Sequence, residues 1–269
     1  MSGLRFALMQ VPRLRVDMRG VTPSACEGLT LPEIERRQVT QGNESMPLAE
    51  WFQIDRTDDD AWVFEADLGR FDRVGWQMCS GRIVVQGSVG DYAGGCMSGG
   101  ELRVMGAAGA LAACEMSGGR LTIDGSVGDF AAGSLPGSID GMRGGVLVVK
   151  GHAGARFGDR MRRGSALVFG DAGDFLASRM VAGTVAVGGA AGAHAGFAMR
   201  RGSVVFAGPA PVVASTFVPA LVEAGVIWQL LARDLAGHGG PFAQLAKRRP
   251  VRHLGDLAAD GKGELIVTR

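Results

Sequence analysis

The chain has 269 residues, with 28 Lys and Arg against 27 Asp and Glu, so no whole-molecule field favours nucleic acid or an anionic membrane. Glycine is the outlier at 44 residues, yet 46% of the chain is hydrophobic, which excludes collagen-like and disordered classes. Four cysteines (Cys26, Cys79, Cys96 and Cys114) form no CxxC pair, residues 1–20 scatter arginines through any signal-peptide pattern, and Pro219, Glu223 and Gln229 interrupt the longest apolar stretch. A cytoplasmic protein with reduced thiols is expected.

Residues 4–18 read as one or two strands interrupted by Pro12. Over 30–37, Thr30 stands three residues before Glu33, the signature of a capping box on a short helix. Residues 61–68 read as a strand, and 69–76 as a degenerate first copy of a repeat that then takes over the chain. The repeat is nineteen residues long. Met78, Met97 and Met116 share its phase, and after a seven-residue insertion at 135–141 so do Met142, Met161, Met180 and Met199. Glycine occupies twenty of the twenty-one positions that lie three, nine and twelve residues after these methionines, the exception being Pro211.

Between the first two glycines lies a short segment of period two, apolar at its second and fourth positions (Ile83/Val85 through Val204/Phe206) and tolerant between them. This is a strand with one buried face. Three glycines per repeat would each cost a helix about 1 kcal/mol, which excludes a helical solenoid. The expected fold is all-β: a right-handed parallel β-helix, a solenoid of about seven 19-residue coils, with small α/β caps at both ends. The methionines are expected to stack as an internal column. The expected division is an N-terminal cap at 1–76, the β-helix at 77–208 and a C-terminal helical cap or tail at 209–269. In that tail 219–236 carries apolar residues at helical spacing, a second helix is expected around 241–249, and a final strand at 264–268.

No catalytic set is legible. The histidines His152, His194, His238 and His253 make no metal-ligand spacing, and the glycine pairs precede strands rather than helices. Neither a Walker loop nor a nucleophile elbow occurs. Asp91, Asp129 and Asp174 follow the third glycine as turn residues. One polar feature stands out: Arg143, Arg162, Arg163, Arg200 and Arg201 recur beside the methionines of the later repeats, where the earlier ones carry Ser and Gly. A solvated corner that protects a flat β surface is one reading. The other is contact with an anionic ligand or acidic partner, since guanidinium forks suit carboxylates.

The strings MSGGRLTIDGSVGDF and MRGGVLVVKGHAGARFG resemble the GXGXG repeat of the glutamate synthase C-terminal domain. With GNESMPLAEWFQID at 42–55 and GSIDGM at 137–142, the chain up to about residue 215 is similar to the C subunit of formylmethanofuran dehydrogenase and of the bacterial formyltransferase/hydrolase complex. Only Lys150, Lys247 and Lys262 are lysine among the basic residues, a bias that points to the bacterial relative. The resemblance implies a non-catalytic subunit with no catalytic residue, metal or cofactor of its own. Its implied partners are an amidohydrolase-like hydrolase subunit, a formyltransferase subunit and a further subunit, with no nucleic acid and no membrane. The complex would handle tetrahydromethanopterin and a methanofuran-type carrier with a glutamate-rich tail, releasing the formyl group as formate. The alternatives are the C subunit of a formylmethanofuran dehydrogenase, a free-standing glutamate-synthase-like linker domain, and a hexapeptide-repeat acyltransferase.

Overall fold

The computed structural model describes residues 3–221 and 225–269. The first part of the chain forms β1 (Gly3–Leu8), β2 (Val16–Asp17), α1 (Leu31–Glu35), β3 (Gln38–Gln41), β4 (Glu44–Pro47), β5 (Phe52–Thr57), β6 (Ala61–Phe64) and β7 (Phe71–Asp72). The repeats supply β8 (Arg82–Val85), β9 (Ser98–Val104), β10 (Gly118–Ile123), β11 (Arg143–Val149), β12 (Arg163–Val168), β13 (Thr184–Val187) and β14 (Ser203–Phe206). The tail adds β15 (Val218–Pro219), α2 (Gly225–Ala236), β16 (Pro250–Gly255) and β17 (Gly263–Thr268).

These elements correct the expected architecture. In place of an all-β right-handed β-helix of GXGXG coils, the regular structure is one 13-stranded sheet in the order β15-β16-β17-β14-β13-β12-β11-β10-β9-β8-β6-β1-β5. It is mostly parallel, with antiparallel pairs only at its two ends. A second sheet has four strands, β4-β3-β2-β7. The other apolar segment of each repeat does not build a sheet. It contributes single-residue bridges, from Leu68↔Val89 to Ala172↔Ala191. The physical reason is local: Val89 lies between Gly87 and Gly90, and Tyr92 just beyond has φ +63°, so extended backbone cannot run past one residue. Nor are the ends separate α/β caps. β1, β5 and β6 extend the large sheet at one end and β15 to β17 at the other, pairing edges that would otherwise be open.

Inside the sheet's buried face, Met78, Met97, Met116, Met142, Met161, Met180 and Met199 are all fully buried in the main core with the paired apolar residues of each strand. The glycine three residues past each methionine has a reason in this packing. At Gly145 the backbone has φ +79°, and an added Cβ would lie 2.8 Å from the Met116 methyl of the preceding repeat. Gly202 meets the Met180 methyl at the same distance. At these positions, and at Gly100 and Gly183, the thioether of one repeat ends where the next has no side chain.

The strand position read as tolerant is divided. Arg103 and Thr122 remain partly exposed, whereas Val148, Leu167, Ala186 and Val205 are buried in a second core with Trp228, Ala232 and Leu235 of α2. The Trp228 indole N–H donates to the Arg248 carbonyl at 3.0 Å and anchors the helix to the chain that follows. The start of the expected 219–236 helix includes residues outside the described ones. The helix expected at 241–249 is instead two 3-10 turns, Gly240–Phe242 and Leu245–Lys247, because Gly239 and Gly240 have positive φ and Pro250 opens β16. The α1 box forms as expected on its acidic side, where the Glu33 carboxylate accepts from the Thr30 N–H and hydroxyl, both at 2.7 Å. Those bonds hold Glu33 below the usual carboxylate range.

Candidate functional site

The five arginines singled out in the sequence lie together. Arg143, Arg162, Arg163, Arg200 and Arg201 line an open groove of about 580 Å³ whose remaining walls are Val181 and Ala182. The sheet builds it: each arginine follows a buried methionine by one or two residues, so the core side chain holds the cation at the corner where the strand begins. The Arg162 and Arg200 N–H groups each donate at 2.8 Å to the methionine carbonyl of the preceding repeat, Met142 and Met180. A register shift between Arg143 and Val146 pairs Arg143 with Arg163, not with Arg162 as the nineteen-residue count implies. One repeat carries Val181 and Ala182 in place of arginine, so the two double cations stand two strands apart, about 10 Å by the strand spacing.

The insertion at 135–141 forms one flank. Asp140 makes an ion pair with Arg162, although the two are not aligned as a hydrogen bond. Glu115 approaches Arg143 at 3.9 Å. Arg163, Arg200 and Arg201 have no carboxylate within ion-pair distance among the described residues, and all three are exposed. Five guanidinium groups thus face two carboxylates, and the surplus charge is open to an anion. One neighbour of this corner escaped sequence reasoning: the backbone N–H of exposed Lys262, just before β17, donates to the Arg200 carbonyl at 2.7 Å. Lys262 lies outside the repeat, so no spacing signal could have assigned it there.

Three other arginines of the later repeats do not join this groove. Arg156, Arg160 and Arg179 converge on Asp159, a carboxylate only 1% exposed. The histidines remain dispersed. His152 Nδ1 accepts the Asp171 N–H at 3.0 Å, His194 stacks on Phe175 with centroids 4.8 Å apart, and burial pushes His238 below its ordinary range. Asp91, Asp129 and Asp174 accept backbone N–H groups of the next repeat at 2.7–2.9 Å, which makes them ladder caps. Burial pushes the Cys26, Cys96 and Cys114 thiols up, so none of the three is a ready thiolate. Among the described residues no His, Cys, Asp and Glu cluster could hold a metal ion, and no helix is long and apolar enough to cross a membrane.

No family model matches the chain. It is 30% identical over 99 residues to the C subunit of the tungsten-containing formylmethanofuran dehydrogenase 2 of Methanothermobacter wolfeii, covering 35% of this chain and 37% of that protein. The C subunit of the formyltransferase/hydrolase complex Fhc of Methylorubrum extorquens is 42% identical over 76 residues, 28% of this chain and 29% of that protein. The matched segments thus span well under half of these curated relatives. The solved structures extend the likeness to the whole chain. A chain in the crystal structure of the formyltransferase/hydrolase complex FhcABCD from Methylorubrum extorquens, in complex with methylofuran, superposes with a TM-score of 0.90 at 38% identity, covering 98% of this chain and 99% of that one. This chain belongs to the C-subunit family of formylmethanofuran dehydrogenases and formyltransferase/hydrolase complexes.

Proposed function

We propose that this protein is the non-catalytic, cytoplasmic component of a formyltransferase/hydrolase complex. In that complex an amidohydrolase-like hydrolase subunit and a formyltransferase subunit, with a further subunit, pass a formyl group from tetrahydromethanopterin to a methanofuran-type carrier and release it as formate. The observation that carries the reading is the end-to-end likeness, at 38% identity, to a chain of the Methylorubrum complex. The dispersed histidines, the buried Cys26 and Cys114 thiols and the ladder-capping aspartates support it, since none is placed as a base, nucleophile or metal set among the described residues. Purified alone, the chain is expected neither to hydrolyse nor to transfer a formyl group. Tagged in its host, it is expected to bring down hydrolase and formyltransferase chains. Turnover that survives repeated purification of the isolated chain would overturn the reading, and so would a pure homotrimer.

Within that complex the arginine groove takes carboxylates, those of the carrier's acidic tail or of an acidic face on a neighbouring subunit. Exposed pairs of this kind contribute about 0.2–1 kcal/mol each, so the effect is collective. Changing Arg162, Arg163, Arg200 and Arg201 together to serine is expected to weaken carrier retention or assembly. The deficit should widen as salt is lowered and screening falls. A quadruple variant that assembles and keeps full complex activity at low salt reduces the groove to a solvated corner.

A further inference from the structure

The repeats follow one another at nineteen residues except once, where residues 135–141 are added between β10 and β11. Ordering this extra loop costs chain entropy, and the structure fastens it at several points. The Leu135 N–H donates to a Glu115 carboxylate oxygen at 3.3 Å, the Arg160 guanidinium to the Ser138 carbonyl at 2.8 Å, and the Gly141 N–H to the Arg160 carbonyl at 2.9 Å. A Cβ at Gly141 would collide with the Asp159 carbonyl and the Arg160 backbone, so only glycine brings the chain this close. Apolar burial does not account for the loop, since Ile139 is 70% exposed. What the loop delivers is a carboxylate: Asp140, fixed beside the arginine groove and ion-paired with Arg162. Arg200, the equivalent of Arg162 two repeats on, has no such partner among the described residues.

We propose that Asp140 is a built-in competitor of the groove's acidic ligand: a fixed carboxylate that holds the Arg162 end and confines an incoming chain to Arg163, Arg200 and Arg201. The pair is itself an example of the chemistry Arg162 accepts. The Arg162 side chain is 40% exposed and that of Asp140 30%, so the pair lies at the surface. An incoming carboxylate meets there a neutralised cation with a negative charge beside it. A lone carboxylate is left with single exposed contacts, each weak. An extended chain of several carboxylates engages Arg163 and, across Val181 and Ala182, Arg200 and Arg201 together. The insertion thus sets how tightly the acidic chain is held and at which end its hold stops.

The inference rests on the proposal that the groove takes carboxylates, and the test separates the two. Binding of a fluorescent hexaglutamate peptide to the full chain is followed by anisotropy at about 0.1 M salt, where charges more than about 10 Å apart are largely screened. Asp140→Asn is expected to bind the peptide about two- to fivefold more tightly, the range for one exposed charge pair, and Asp140→Lys more tightly still. Asp140→Glu keeps the charge and should match the parent chain. Asp58→Lys makes the same change of net charge at an exposed position on the β5–β6 loop and should leave binding as it is. In the complex purified from its host, Asp140→Asn should keep its acidic ligand through a salt wash that strips the parent. That ligand is retained carrier if the carrier's tail fills the groove, and a retained neighbouring subunit if a protein face does. Equal binding by the parent and Asp140→Asn, or a gain that Asp58→Lys reproduces, overturns the competitor and leaves the groove standing. A peptide that binds neither the parent nor Asp140→Asn, or that binds the quadruple arginine-to-serine variant as well as the parent, overturns the groove and the competitor together.

Discussion

Met142→Asp is expected to lower stability by about 4 kcal/mol and the melting temperature by roughly 10 °C. Met142 is fully buried in the main core, as are its equivalents in the other six repeats, and a carboxylate there would lose its water among apolar side chains. Met142→Leu keeps volume and polarity and should cost under about 1.5 kcal/mol. Thermal unfolding of the two variants separates burial of charge from loss of shape. An aspartate variant melting within a degree or two of the parent chain would place the methionine column outside the core.

Asp159→Ala is expected to cost about 3 kcal/mol, read by urea unfolding, because three guanidinium groups would lose their common counterion. Arg179 donates to both Asp159 oxygens, at 2.7 Å and 2.9 Å, the Ser178 hydroxyl adds a bond at 2.5 Å, and Arg156 and Arg160 stand 3.9 Å away. The arginine side chains are 27–38% exposed, so water screens part of their repulsion and the cost falls at the lower end for a broken buried pair. Adding Arg179→Gln to Asp159→Ala should recover part of the loss, and so should high salt. A cost below about 0.5 kcal/mol, as for an ordinary surface change, would show that the carboxylate does not organise this cluster.

The strands of the repeat were legible because each carries its own evidence: an apolar pair in period two, bounded by glycines that the neighbouring methyl or backbone requires. The way they combine was not. The nineteen-residue period fixes which residues are equivalent, but whether each apolar segment becomes a strand or a single bridge depends on dihedrals such as those at Tyr92 and Phe175, and ordinary side chains do not advertise positive φ. The end segments were read as separate caps because they lie outside the repeat and open strand edges need covers, although their strands continue the same ladder. The arginine groove was visible as a recurrence, whereas the carboxylate that pairs with Arg162 came from Asp140 in an insertion, out of phase with it. Asp159 left no trace at all, since one aspartate among many says nothing of how many cations will turn towards it. A signal for α2 was present but unused. The middle strand residue is Val84, Arg103 and Thr122 in the first three repeats and unbroken apolar Val148, Leu167, Ala186 and Val205 later, and that unbroken run marks where a helix lies on the sheet.

That division of the sheet's outer face sets an order on synthesis. As the chain leaves the ribosome, β9 and β10 can each zip onto the strand before it, since polar residues such as Arg103 and Thr122 leave their outer face content in water. The strands β11 to β14 add by the same local step, yet Leu167, Ala186 and Val205 then lie bare until Trp228, Ala232 and Leu235 have been translated. For that interval the nascent chain carries a flat, sticky half-sheet whose natural cover is still inside the exit tunnel. The later half of the molecule, and not the glycine-rich start of the ladder, is therefore the stretch for which a chaperone or an early-binding partner matters most.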